Sequence, residues 1–219
     1  MIVESYLKGV SARKVESIIS ELDVELSYTT VSNLSRELDE LITEFRTSPL
    51  REYYPYLYVD AVHLKVFNGS RFVSQAIMIA MDVNEDGYRE ILDIDITYEE
   101  SYVSYKSFFD SLKERGLKRV DLVISDDHKG IKKATQRSLY RSSWQLCTVH
   151  FKRNIMKIVP KKEINKVLEY LNDVLKSKDF QEAHNKAQGM INIYETKLPK
   201  LAKYLEANDR RSNNIFSIP

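Results

Sequence analysis

Cysteine occurs once, at Cys147, which excludes an internal disulfide and fits a reducing compartment such as the cytoplasm. Glycine and proline are sparse too, with six and five in 219 residues. That is too little punctuation for a disordered chain. No apolar run approaches the roughly 20 residues needed to cross a bilayer, so no membrane partner is expected. The opening MIVESYLKGV is too polar and too acidic for a signal peptide. Internal repeats and low-complexity tracts are missing as well. What is present is 43% apolar residues, enough for a real core in one large domain or two modest ones.

The net charge of +1 conceals a segregation. Residues 1–110 carry 10 Lys and Arg against 20 Asp and Glu, whereas residues 111–163 carry 14 against 5. A basic stretch in an otherwise acidic chain is a footprint for a polyanion, because each neutralised phosphate releases condensed counterions. The alternative is a solvated Lys/Arg face.

Three zones follow along the chain. In residues 1–46, Val10, Val15, Ile18, Ile19 and Leu22 share one helical face, with Ser11 as a cap. After DVELS, the residues Val31, Leu34, Leu38, Leu41, Ile42 and Phe45 repeat at three- and four-residue steps. Two short amphipathic helices with a tight connection suit a helix-turn-helix, and Arg36 would then be one of its DNA-contacting groups. TSPLREYYP reads as a linker.

The period then changes. YLYVDAVHLKVF (56–67), RFVSQAIMIAMDV (71–83) and REILDIDITY (89–98) are β-branched and aromatic runs separated by the turn signals NGS and NEDG. A helix over SYVSYKSFFDSLKERG follows, with Tyr105, Phe108, Phe109 and Leu112 on one face and Gly116 as its stop. VDLVIS (120–125) is a fourth strand, a short helix spans Lys132–Ser138, and SWQLCTVH (143–150) is a fifth strand. The order predicts an α/β, RNase H-like mixed five-stranded sheet in which strand four joins strand one after a crossover. The third zone, 161–219, is helical: Ile164, Val167, Leu168, Leu171 and Leu175 form one stripe, and Phe180, Ala183, Ala187, Met190, Ile191 and Tyr194 another.

Two carboxylates stand out against this pattern. Asp60 interrupts an apolar strand, and Asp126 sits just past the end of the fourth. Charges are rarely buried unpaired, so each needs a partner. On adjacent strands the two repel unless a divalent cation lies between them, and oxygen donors suit Mg²⁺ or Mn²⁺. Two such ions about 4 Å apart activate the attacking oxygen and stabilise the leaving one in phosphoryl transfer. The alternatives are a capping carboxylate or an ion pair to Lys129 or Arg153. Asp127 reads as the cap of the short helix that follows.

Cys147 and His150 have a Cys-x-x-His spacing, but no second pair completes a zinc site, so a structural role near the active site is expected. Lys129, Lys132, Lys133, Lys152, Arg153 and Lys157 make a cationic region able to hold a DNA backbone.

Through GVSARKVESII…LSYTTVSNLSREL, YVDAVHLKV, MDVNEDGYREIL, LVISDDHKGIKKA and CTVHFKRN, the sequence resembles the Mutator-type superfamily of transposases, in its prokaryotic insertion-sequence branch. The resemblance covers most of the chain. It implies an RNase H-like core, a DDE carboxylate triad, a divalent metal, and cut-and-paste or copy-out chemistry at transposon ends. Double-stranded DNA, both transposon ends and target, and a homo-oligomer on that DNA are the implied partners. By position Asp60 and Asp126 match the first two carboxylates of the triad, and Cys147 and His150 match a C-x-x-H signature. Residues 1–50 match a DNA-binding-like segment, 51–160 the catalytic core, and 161–219 an α-helical insertion after which the catalytic Glu would come. No residue here matches that Glu, which leads to the expectation of a partial chain. The rival expectations are a catalytically incompetent DNA-binding remnant and a cellular RNase H-like nuclease.

Overall fold

The structure is a computed structural model that describes residues 39–67, 69–83 and 88–209. The chain divides into two units, Met1–Pro49 and Leu50–Pro219. Within the first, residues 39–47 are helical. The expected helix-turn-helix, Arg36 and most of the NGS and NEDG turns lie outside the described residues.

The second unit is built on five strands: β1 (Tyr53–Phe67), β2 (Phe72–Val83), β3 (Arg89–Thr97), β4 (Arg119–Ser125) and β5 (Ser143–Leu146). Their order across the sheet is β3-β2-β1-β4-β5. β1–β2 and β2–β3 pair antiparallel, while β1–β4 and β4–β5 pair parallel. This is the expected RNase H-like order. Strands β1, β3, β4 and β5 therefore run the same way, and the connections leaving β3, β4 and β5 open on one edge.

Helix α1 (Tyr102–Glu114) supplies the crossover from β3 to β4. Ser101 caps it through a reciprocal capping box with Ser104. Its buried face is Tyr105, Phe108, Phe109 and Leu112, as the periodicity predicts. The helix stops where Gly116 takes φ +114°, a left-handed conformation that glycine alone enters without strain. Leu57, Val59, Met78, Ala80, Leu92, Val120 and Val123 from the strands share a core with it. The helix α2 (Lys129–Ser138) packs its Gly130 directly on the start of α1, where a Cβ would stand 2.8 Å from the Ser101 carbonyl carbon.

The fifth strand is shorter than expected. It ends at Leu146, Cys147 becomes an N-cap, and Thr148–Ile158 forms helix α3. Phe151 and Ile155 explain the switch: they recur at the helical interval of four and both are buried. Helices α4 (Ile164–Leu175), α5 (Phe180–Tyr194) and α6 (Pro199–Asp209) complete the described chain. On α4 the buried residues are Val167, Leu171 and Val174, the last outside the predicted stripe, while Ile164, Leu168 and Leu175 are partly buried against the core. On α5 the predicted stripe is buried except Phe180, which is exposed and stacks on His184. No helix among the described residues is long and apolar enough to cross a membrane.

Candidate active site

The parallel pairing of β1 with β4 sets Tyr58 opposite Ile124. Asp60 stands two residues beyond that pair on β1, and Asp126 two residues beyond it, one position past the end of β4, so both follow the same point of the β1–β4 pairing. Each carboxylate has one oxygen fixed by a nearby amide. Asp60 Oδ1 accepts from Ala61 N at 2.9 Å, and Asp126 Oδ1 accepts from His128 N at 3.2 Å. Among the described residues no hydrogen bond engages the Oδ2 of either. The arrangement presents two pre-oriented oxygen donors.

The loop that carries Asp126 is fastened from β5. Trp144 Nε1 donates to Ser125 Oγ at 2.9 Å, and that hydroxyl donates to the Asp126 carbonyl at 2.9 Å. Cys147 N donates to the Ser125 carbonyl at 2.6 Å, so Cys147 continues the sheet pairing by one residue before starting α3. Three residues on, His150 Nε2 lies 3.8 Å from Asp60 Oδ1. The Cys-x-x-His spacing thus serves a strand-to-helix corner that brings His150 to Asp60.

Asp127 does not cap α2. His128 does, its Nδ1 accepting from Gly130 N at 3.2 Å, while Asp127 pairs with Lys132. Lys132 also lies 4.5 Å from the Trp144 ring centroid. Of the predicted cations, Lys132 is therefore held in the protein; Lys129, Arg153 and Lys157 are exposed, Lys133 is exposed with its Nζ 4.6 Å from the Tyr102 ring centroid, and Lys152 is half-buried. Neither Lys129 nor Arg153 pairs with Asp60 or Asp126 among the described residues, which removes the ion-pair alternative there.

Glu100 went unnoticed in the sequence. It accepts a hydrogen bond from the Tyr105 hydroxyl, and its other oxygen lies 3.6 Å from His63 Nδ1. Burial, then the Glu100 hydrogen bond, then the negative fields of Asp126 and Asp60 push the Tyr105 hydroxyl far above its ordinary range. Tyr105 is thus a permanent O–H donor beside the aspartates, and its ring lies 5.9 Å from that of His128. The available signal was topological: the β3–α1 loop opens on the same edge as Asp126. Among the described residues no group of three or more His, Cys, Asp or Glu is placed to hold one metal ion. The donor chemistry of Asp60 and Asp126, two carboxylates each with one oxygen outside any hydrogen bond among the described residues, fits a hard divalent cation.

The Staphylococcus aureus transposase for insertion sequence element IS256 in transposon Tn4001 is 38% identical over 216 residues, covering 98% of this chain and 55% of the relative. The Rhizobium meliloti transposase for insertion sequence element ISRM5 is 34% identical over 219 residues, 100% of this chain and 55% of the relative. The chain spans about half the length of the curated relatives it matches. Among solved structures, the Drosophila P element transposase strand transfer complex matches with a TM-score of 0.40 and 15% identity, over 95% of this chain and 57% of that one. The magnesium-bound HTLV-2 integrase catalytic core domain matches with a TM-score of 0.31 and 13% identity, over 76% and 97%. The family model described as "Transposase, Mutator family" matches residues 1–218. With that match across the chain and relatives above 30% identity, the chain belongs to the Mutator family of transposases.

Proposed function

We propose that this chain carries two of the carboxylates of a metal-dependent site for DNA strand cleavage and transfer at transposon ends. The observation that carries the reading is the β1–β4 register, which pairs Tyr58 with Ile124 and so supports a site formed by Asp60 and Asp126, each two residues beyond that pair. Asp60 and Asp126 would hold Mg²⁺ or Mn²⁺ through their open oxygens. When bound, such an ion supplies activation of the attacking oxygen, from water or a DNA 3′-hydroxyl, and charge stabilisation of the leaving one. The amides of Ala61 and His128 each hold one oxygen of these carboxylates, which would lessen the reorganisation needed on binding. His150 Nε2 lies 3.8 Å from the same Asp60 oxygen that the Ala61 amide binds, and the Tyr105 hydroxyl donates to Glu100.

Lys129 and Lys133 on α2, with Lys152, Arg153 and Lys157 on α3, would hold the backbone of double-stranded DNA, both transposon end and target, within a homo-oligomer. Residues 1–50 would serve as a DNA-binding segment, 51–160 as the catalytic core and 161–219 as a helical insertion. The test is nicking of DNA carrying the ends of the element that encodes the chain. Metal-dependent nicks by the wild type that vanish in Asp60→Asn and Asp126→Asn support the reading. A wild type that binds this DNA and leaves no metal-dependent nick supports a second reading, a DNA-binding piece without cleavage activity. That second reading is favoured by the lack of a third metal-placed donor among the described residues.

A further inference from the structure

From Lys129 to Lys162 inclusive the chain has ten Lys and Arg and no Asp or Glu. Helix α2 turns Ile131, Ala134 and Thr135 into the core. The opposite face therefore presents Lys129, Lys133 and Arg137 at the helical interval of four, and all three are exposed. Past the end of the helix Tyr140 is 74% exposed, with the Arg141 guanidinium 5.5 Å from its ring centroid. Among the described residues no carboxylate pairs with Lys129, Lys133, Arg137 or Arg141. A carboxylate-free stripe is costly as a mere solvated face, because like charges at i, i+4 repel. An exposed tyrosine backed by arginine likewise lacks a folding rationale, since neither side chain is buried.

We propose that this face of α2 is a track for one DNA strand leaving the Asp60–Asp126 site, with Tyr140 stacking an unpaired base at its far end. The inference rests on the reading of the site as a DNA-processing centre. The track begins at Lys129, three residues from Asp126, and reaches Arg137 about 12 Å further along the helix. At about 3.4 Å per nucleotide that is three to four nucleotide steps of one strand. Lysine and arginine neutralise phosphates without regard to sequence, and an aromatic face stacks any base, so the track follows the strand and does not read it.

The test uses the 219-residue chain and two fluorescein-labelled DNAs, a 20-base-pair duplex and the same duplex with a ten-nucleotide single-stranded 3′ extension. Anisotropy titrations at several salt concentrations give affinity and salt slope. Arg137→Ala/Arg141→Ala should lower the slope of log K against log salt by about two and weaken binding roughly tenfold or more. Lys200→Ala/Lys203→Ala removes the same charge from exposed positions on α6 and should change little. Tyr140→Ala should weaken the extended DNA at least about fivefold and leave the blunt duplex nearly unchanged. Wild-type binding with both double variants alike overturns the track while leaving the site reading intact. Equal loss on both DNAs in Tyr140→Ala overturns the stacking role. No binding by the wild type overturns the DNA reading itself, and the track with it. All these residues are exposed, and unchanged thermal melts confirm that a loss is not unfolding.

Discussion

Replacing a helical glycine by alanine ordinarily stabilises a protein, by about 0.4–1 kcal/mol, because it restricts the unfolded chain. At Gly130 the structure predicts the reverse. A Cβ there would lie 2.8 Å from the Ser101 carbonyl carbon, 2.9 Å from Tyr102 N and 3.0 Å from His128 Cε1. Carbon contacts are comfortable at about 3.5–4.0 Å, and the two shortest of these are to backbone atoms that cannot rotate away. The starts of α1 and α2 would have to part by most of an ångström. Overpacking of this kind costs about 1–3 kcal/mol. At roughly 2–4 °C per kcal/mol for a chain of this size, the melting temperature should fall by about 2–12 °C. The parting also strains the two loops at the site, since Glu100 precedes the Ser101 cap and His128 caps α2. Gly189 is the internal control: it lies inside α5 with nothing within 4 Å of its Cβ position, so Gly189→Ala should raise the melting temperature. Thermal unfolding of both variants by circular dichroism decides the matter. A Gly130→Ala protein as stable as the wild type, or more so, refutes the close approach of the two helices.

Two further outcomes follow from buried charges. Arg115 donates to the Leu92 carbonyl at 2.7 Å and lies 3.5 Å from Asp93, and both side chains are almost fully buried. Arg115→Met should cost about 3–5 kcal/mol in urea melts by stripping that carboxylate of its guanidinium, and Arg115→Met/Asp93→Asn should recover much of the loss. Burial raises the Asp82 carboxyl above the ordinary carboxylate range, against the opposing pull of Arg51. Its contribution to stability is therefore fully present below the unfolded value of about 3.9 and is lost as pH rises through the raised folded value. Asp82→Asn should flatten that decline in melts taken upward from about pH 4.

The sheet was legible because its strands are long β-branched runs, and Asp60 and Asp126 because a carboxylate in an apolar run is conspicuous. Pairing them needed only the strand order, since parallel neighbours bring equivalent positions level. Other features depended on three-dimensional neighbours. The corner at Cys147 was hidden because SWQLCTVH alternates acceptably as a strand, and only the burial of Phe151 and Ile155 imposes the helix. Asp127 is the better cap by residue type, yet Lys132 takes its carboxylate and leaves His128 to cap. Glu100 lies in an acidic stretch, TYEES, that looks like any solvated loop until Tyr105 folds onto it. The Arg137–Arg141 stretch was diluted in the general basicity of its region, and helix geometry alone separates it from the paired Lys132.

We propose that Asp60 and Asp126 act as one metal site. Manganese titration followed by electron paramagnetic resonance, which reads free Mn²⁺ directly, addresses it without any need for catalysis. Wild-type protein should deplete the free-ion signal. Asp60→Ala and Asp126→Ala should each weaken binding at least about tenfold, and in the absence of metal each should melt no lower than the wild type, because removing one of two facing carboxylates relieves their repulsion. Equal Mn²⁺ binding by all three proteins would contradict the account.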